Sequence, residues 1–429
     1  MDSDSHPLRP TTRELTRVFG RIGLLSFGGP AAQIALMHRE LVEDRSWLDE
    51  DQFLRALSFC MLLPGPEAMQ LATYAGWRLR GIAGGLIAGG LFVLPGAAVI
   101  AGLVTLYVRF GTLPAVQAAF LGIKSAVIVI VLQAVLAVSR RALGTRLSYA
   151  LAVASFLAVF TLNVPFPIII GLAALIGAMR PPAELPTGSP DPMIPTLASP
   201  LRVIAIWLPL WLLPLAALTL TGQTLLAQVG WFFAWLAVVT FGGAYAVLAY
   251  MTQTVVDSYQ WISLSQMIDA LGLAETTPGP LSLVTQFVAM LTGSLQGGPG
   301  LAIAAGVVAL WATFVPCFLW IFLAGPYLEQ ISALPRLGAA MKAITAAVVG
   351  VILNLSVWFG LNVLFSGINT QSVGPLSFPA PDWFTLDPRA LTLTLLAAAL
   401  MLVLKQGLGR VLLICAVTGL ALHLVLSAT

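Results

Sequence analysis

The sequence predicts an all-α polytopic membrane protein built from two inverted-topology repeats with discontinuous helices, broken or re-entrant. Three observations predict it: an apolar composition, a motif pair that recurs at fixed spacing, and a lopsided distribution of basic residues. Of 429 residues, 59% are apolar and 9% charged, with mean hydropathy +0.94. A soluble chain carries about 25% charged residues, so this one lacks the polar surface to face water. A crossing needs roughly 20 apolar residues, which leaves room for about ten or more crossings and none for a large soluble domain.

The apolar segments fall near 15–37, 56–75, 82–108, 113–138, 147–179, 203–221, 225–251, 267–293, 300–324, 337–365, 390–404 and 410–427. Arg9, Arg13, Arg17 and Arg21 lead into the first, and no small-residue cleavage site follows it. It reads as a retained segment with a cytoplasmic N-terminus. Between 181 and 200 stand seven prolines, a density that favours an extended spacer. This linker divides an N-terminal repeat, 1–180, from a C-terminal repeat, 201–429.

The two sides are related. Phe27-Gly28-Gly29 recurs as Phe241-Gly242-Gly243, Trp47 as Trp261, and Pro64-Gly65-Pro66 as Pro278-Gly279-Pro280, all at an offset of 214. Ungapped, 27–66 and 241–280 share 14 of 40 positions. Leu94-Pro95 answers Val315-Pro316 at an offset of 221, so a short insertion intervenes. Residues 1–180 hold 15 Lys and Arg, residues 201–429 hold 6, and 203–335 hold none. The loop after the first FGG carries Arg39, Arg45 and Arg55, while its counterpart, 252–269, has no basic residue. Basic loops stay cytoplasmic, so equivalent loops belong on opposite sides of the membrane, the pattern of an inverted-repeat transporter.

The FGG and PGP motifs interrupt apolar segments with residues that a continuous helix avoids. Pro66 and Pro280 suit the first position of a new helix, where a missing N–H costs nothing. The amides that follow, at the positive end of a helix dipole, would favour an anion. Irregular backbone at membrane depth needs burial in protein or a cavity to line, although single Gly and Pro residues also kink and pack membrane helices. Arg55, Arg78 and Arg80 flank the first PGP segment on both ends, as a segment that enters and returns on one side would require.

Among charges, Lys124 lies about 16 Å of helix into its segment, too deep for easy snorkelling, and so is a functional candidate. Lys342 answers it if a three-residue gap is accepted, with snorkelling as the competing reading. Glu67 follows the first PGP, and Glu275 precedes the second by three residues. Either carboxyl would repel an anion unless protonated or paired, which makes both candidates for coupling or gating; at Glu67, simple complementarity to the helix dipole competes. Gln70, Gln33 and Gln286 are polar groups near the breaks, able to donate to an oxyanion or to glue helices. Trp47 and Trp261 read as interfacial anchors.

Other chemistries find no support. His6, His38 and His423, and Cys60, Cys317 and Cys415, lie far apart with no ligand spacing, so no metal, cofactor or disulfide framework is expected. An intramembrane enzyme would need a nucleophile with a base or metal, and neither His38 nor His423 has a partner motif, so no catalytic residue is assigned. A net charge of +3 does not point to nucleic acid.

The blocks FGGPAAQIALMHRELVEDRSWLDEDQF and LLPGPEAMQLATYAGWRLRGIAGGLIAGGLFVLPG, with the second FGG and TTPGP, resemble the long, two-domain form of the CHR family of chromate ion transporters. The resemblance covers nearly the whole chain. It implies a multi-pass carrier of the bacterial inner membrane that exports chromate and confers chromate resistance, with sulfate as a related oxyanion. The site expected from the residues themselves is the FGG and PGP breaks with Gln70, Lys124 and Lys342, which would hold the dianion near the midplane while the halves alternate access around it. The partners are then chromate or sulfate and the lipid bilayer, for a monomer or homodimer. A sulfate uptake or exchange carrier is the alternative. The second block has Ala244 where the first has Pro30, so the two breaks need not be equivalent.

Overall fold

The computed structural model describes residues 10–180, 198–241, 244–332, 334–374 and 376–428. The expected linker lies outside the described residues up to position 197, and its last three positions already belong to the next helix.

The first half runs α1 (Thr12–Leu25), α2 (Gly29–His38), α3 (Glu50–Cys60), α4 (Glu67–Phe110), α5 (Pro114–Ala142), α6 (Arg146–Leu162) and α7 (Phe166–Ala178). The second runs α8 (Ala198–Leu220), α9 (Thr224–Val239), α10 (Ala244–Gln253), α11 (Leu264–Glu275), α12 (Val284–Ala324), α13 (Leu328–Ser332) and α14 (Pro335–Leu364). A hairpin of β1 (Ile368–Val373) and β2 (Leu376–Pro381) follows, then α15 (Pro388–Ala398) and α16 (Leu408–Ala428). The fold is that of an all-α polytopic membrane protein. Six helices are long and apolar enough to cross a membrane among the described residues, and shorter apolar helices include α6, α7 and α9.

Local sequence explains the helix starts. Thr11 and Glu14 form a capping box on α1, Ser263 and Gln266 one on α11, and Asp49 caps α3 through the amide of Gln52. Pro114 and Pro335, at an offset of 221, open α5 and α14 in the first turn, where proline is tolerated. A π-helical turn follows α2 at Arg39–Glu43 and α10 at Thr254–Ser258. In each, the chain closes through the tryptophan amide, from Trp47 to the Leu41 carbonyl and from Trp261 to that of Val255.

The two longest helices are folded on themselves. At Arg80 and Gly81 the backbone leaves helical geometry, with Gly81 at φ 62°. A Cβ on Gly76 would then collide with the Gly84 carbonyl, although these residues would stand about 12 Å apart on a straight helix. Helix α12 turns in the same way at Gly298, φ 78°, which brings Gly293 against Leu301 and Ala302. The chain also reverses between α3 and α4. The Phe59 and Tyr74 rings lie 6.1 Å apart, whereas a straight continuation would separate them by about 22 Å.

The chain forms two compact units that do not coincide with the sequence halves. One unit takes the chain up to Val104, the stretch that ends at Ala244, and Thr277–Gly338; the other takes Thr105 onward through α7, Tyr245–Thr276 and everything from Ala339. In the first unit, α12 packs on α8 and α9, with the Trp211 indole donating to the Ala312 carbonyl at 3.1 Å. Its buried rings include Phe19, Phe59, Phe92, Phe233 and Phe287. In the second unit, α5 packs on α15 and α16. Gly122 lies against the Cys415 backbone and Gly419 against that of Ala118, the small-residue approach that lets membrane helices touch. The hairpin, which the sequence reading did not anticipate, belongs to the second unit, and Asn163 donates to Ser377 of β2 at 3.1 Å.

Candidate functional site

The first unit brings together the first FGG and both PGP breaks. Gly28, Gly29, Gly65 and Gly279 adopt φ of 89°, 77°, 119° and 87°, a region that side chains other than glycine avoid. Gly28 is the left-handed residue before α2, whose first turn contains Pro30. Phe27 stands exposed. Phe241 is half-buried just beyond α9, and Gly242 and Gly243 lie outside the described residues.

Each PGP is clasped by the segment that leads into the FGG of the other half. The Gly65 amide donates to the Thr240 carbonyl and the Gly279 amide to that of Ser26, both at 3.0 Å. Ser26 and Thr240 are themselves 214 positions apart, and each hydroxyl donates back to a carbonyl four residues earlier, Ile22 or Leu236. A second layer repeats the exchange. A Cβ on Gly96 would collide with the Pro278 carbonyl, and one on Gly65 would lie 3.1 Å from the Cys317 sulfur, while Gly96 and Cys317 are 221 positions apart. The Gly65 and Gly279 amides are thus occupied by protein carbonyls, and the first-turn amides that follow each break are the ones directed along the new helix axis.

Helix starts fall one or more residues beyond the expected position. Pro66 precedes α4, which opens at Glu67, and Pro280 precedes a 3-10 turn, Leu281–Leu283, that leads into α12. Pro64 and Glu67 are half-buried, whereas Pro278, Gly279 and Pro280 are all buried. The glutamines face backbone. Gln33 donates to the Gly279 carbonyl at 2.6 Å and to Ser26 at 3.3 Å, Gln70 to Pro64 at 2.7 Å, and Gln286 to Ala97 at 3.0 Å. Their amide nitrogens therefore brace the breaks, and their buried Oε1 atoms have no hydrogen-bond donor among the described residues.

The second unit holds Lys124. Its ammonium lies 3.1 Å from Oδ1 of Asp269 and donates to Oγ of Ser265 at 2.7 Å. The Tyr107 hydroxyl donates to Oδ2 of Asp269 at 2.8 Å. Lys124 is 12% exposed and Asp269 1%. Sequence reasoning missed Asp269, Ser265 and Tyr107. The signal was present in Asp269, a lone carboxylate at the start of an apolar segment, the same criterion that singles out Lys124. Lys342 is exposed on α14. At the offset of 221 that relates α5 to α14, the residue answering Lys124 is Thr345, so Lys342 does not occupy the corresponding place. Glu275 ends α11 in this unit, 6% exposed, and accepts from the Tyr245 hydroxyl at 2.9 Å.

The chromate transporter family model matches residues 13–178 and 227–421. A chromate transport protein of Cupriavidus metallidurans is 32% identical over 80% of this chain and 81% of its own length. A probable chromate transport protein of Synechococcus elongatus is 31% identical over 84% and 88%, and a chromate transport protein of Pseudomonas aeruginosa 32% identical over 78% and 77%. No solved structure matches the chain. On the extent of these matches, the chain belongs to the chromate transporter family.

Proposed function

We propose that this chain is a secondary carrier, not an enzyme, that exports chromate from the cytoplasm across the bacterial inner membrane by alternating access. Family membership and relatives named as chromate transport proteins support the substrate. The observation that carries the mechanism is the reciprocal clasp, in which each PGP break is tied to the segment before the other half's FGG. A backbone so exchanged lets two equivalent helix starts attract an oxyanion through their amides and dipoles. Lys124 supplies a full positive charge along the route. Glu67 and Glu275, beside the two breaks in sequence, act as gates that repel the substrate while ionised. The charge asymmetry of the halves puts the Arg39–Arg45 loop in the cytoplasm and its counterpart outside.

Energetics favour the outward direction. With the cell interior negative, a dianion that leaves without a companion ion gains about 4.6 kcal/mol per 100 mV, equivalent to roughly a thousandfold gradient, and one that leaves with a single proton gains about half as much free energy. Labelled chromate in inside-out vesicles tests the reading. Accumulation should rise with a lumen-positive potential and fall at least tenfold in Lys124→Ala. Accumulation of sulfate without chromate, or no oxyanion flux at all, overturns it.

A further inference from the structure

The group around Lys124 is more than a cation waiting for an anion. Within the second unit its ammonium is already neutralised by the Asp269 carboxylate at 3.1 Å, and a second donor is fixed on Ser265 at 2.7 Å. An ammonium has three N–H donors, so one remains beyond these two partners, and the side chain keeps 12% of its surface exposed, against 1% for Asp269. The carboxylate is the better enclosed partner, 1% exposed and held from behind by Tyr107. The exposed part of Lys124 is therefore where an incoming oxyanion meets a cation that already has an anion.

We propose that Asp269 is a built-in counter-anion of Lys124 which the transported oxyanion displaces, and that Asp269 then takes up one proton for each oxyanion loaded. The step deepens the reading above and rests on Lys124 meeting the oxyanion. A dianion brought to the ammonium puts three negative charges around one positive charge in a site nearly closed to water. Leaving the Asp269 carboxylate bare there is costly, and like charges in one site are relieved when one of them protonates. The bond made is O–H on Oδ1, the oxygen that faces Lys124; the bond broken is an O–H of a water on the loading side, whose hydroxide is left to the bulk, and the ion pair opens as the carboxyl becomes neutral. Tyr107 keeps its hydrogen bond to Oδ2 throughout, and Lys124 stays an ammonium held by Ser265. On unloading, the proton leaves Oδ1 and the ion pair closes again, so that the empty carrier returns with a neutral pair instead of a bare charge.

Among the described residues Glu275, the other carboxyl on α11, is held by the Tyr245 hydroxyl at 2.9 Å, and no further carboxylate or imidazole bonds the Lys124–Asp269 pair. Among the described residues its polar partners are Ser265 on α11 and Tyr107 at the end of α4. Of the titratable groups on α15 and α16, Arg389 pairs with Asp387, Arg410 is exposed, and Cys415 meets α5 through its backbone at Gly122. His423 is half-exposed on α16, beyond Gly419, which packs on Ala118.

The test uses purified full-length protein at mildly alkaline pH, where chromate itself is a dianion. Wild type should take up one proton per chromate bound, read with a pH dye in weak buffer. In proteoliposomes, net chromate flux should depend on an imposed pH gradient. Asp269→Asn, which mimics the protonated acid, should take up no proton on chromate binding, and the net flux it carries should lack the pH dependence of wild type. Lys124→Ala should lose chromate-for-chromate exchange. If Lys124→Ala exchanges chromate like wild type, the reading of Lys124 fails. If Lys124→Ala is inactive but wild type binds chromate without proton uptake, the inference about Asp269 fails alone. Absence of proton uptake in wild type overturns the inference even if Asp269→Asn does not fold; in that case Asp269→Glu, which keeps a carboxyl at altered reach, should shift the pH dependence of uptake, and an unshifted dependence assigns the proton to another group and overturns it too.

Discussion

Helices α3 and α11 stand 214 positions apart and are built alike, yet they carry opposite electrostatics. On α3, Asp51 and Arg55 form an ion pair one turn apart at 2.8 Å, 75% and 52% exposed. The same two positions on α11 are Ser265 and Asp269, and there the positive partner is Lys124, with Asp269 1% exposed. The loops before these helices differ in the same sense. Arg45 lies over the Trp47 ring at 5.9 Å, while at the equivalent place Tyr259 stacks on Trp261 at 4.6 Å. One backbone plan thus carries an exposed ion pair in the first half and a largely buried one in the second. A carrier with equivalent halves would have no reason to place its charges so unequally; one whose loops face different compartments would.

The breaks extend the comparison, and the largest expected effect lies there. Gly96 passes so close to Pro278 that any side chain must displace backbone, whereas the equivalent Cys317 already carries a side chain beside Gly65. Gly96→Cys should cost about 3 kcal/mol or more, in the range of overpacking against unyielding neighbours, and Cys317→Gly roughly 1–3 kcal/mol by loss of packing and added chain entropy. Chemical denaturation in detergent measures both; equal effects would erase the distinction between the breaks. The glutamines come next. Gln33 holds two carbonyls at the second break, from Gly279 and Ser26, while Gln70 holds one at the first. Each bond contributes about 0.5–1.5 kcal/mol, so Gln33→Ala should destabilise more than Gln70→Ala.

The smallest effect concerns the loop chemistry of the first half. His38 bonds Glu50 at 2.6 Å and Glu43 at 3.1 Å, and the Glu50 carboxylate holds the imidazole's proton affinity above its ordinary value. The folded state therefore keeps this proton better than the unfolded chain. That stabilisation is complete below the unfolded pKa, about 6.5, and disappears as pH rises through the raised folded value. His38→Gln should lower the melting temperature by a few degrees in mild acid and leave it unchanged in alkali. An equal loss at both extremes would assign the effect to packing on Phe53, whose ring lies 5.1 Å from His38.

Much of this was legible in the sequence, for identifiable reasons. The class follows from composition, and the offset of 214 recurs in one pair of hydrogen bonds, Gly65 to Thr240 and Gly279 to Ser26, at glycines whose backbone conformations few other residues supply. The exchange of partners between halves was not legible. It depends on carbonyls of Ser26 and Thr240, and a backbone acceptor leaves no trace in residue identity. Lys342 shows a different limit: a lysine in an apolar run draws attention in the sequence, while its exposure on α14 depends on a register that residue identity does not give. Asp269 was visible but unused, as its importance rests on a lysine 145 positions earlier.

The central claim is that equivalent segments of the two halves face opposite compartments. Asp44 and Ser258 are exposed, stand 214 positions apart at the C-terminal ends of the two π-helical turns, and can each be changed to cysteine in a chain whose own cysteines are buried. Labelling with a membrane-impermeant maleimide should reach Ser258→Cys only in intact spheroplasts and Asp44→Cys only in inside-out vesicles. Labelling of both from the same side would contradict the account.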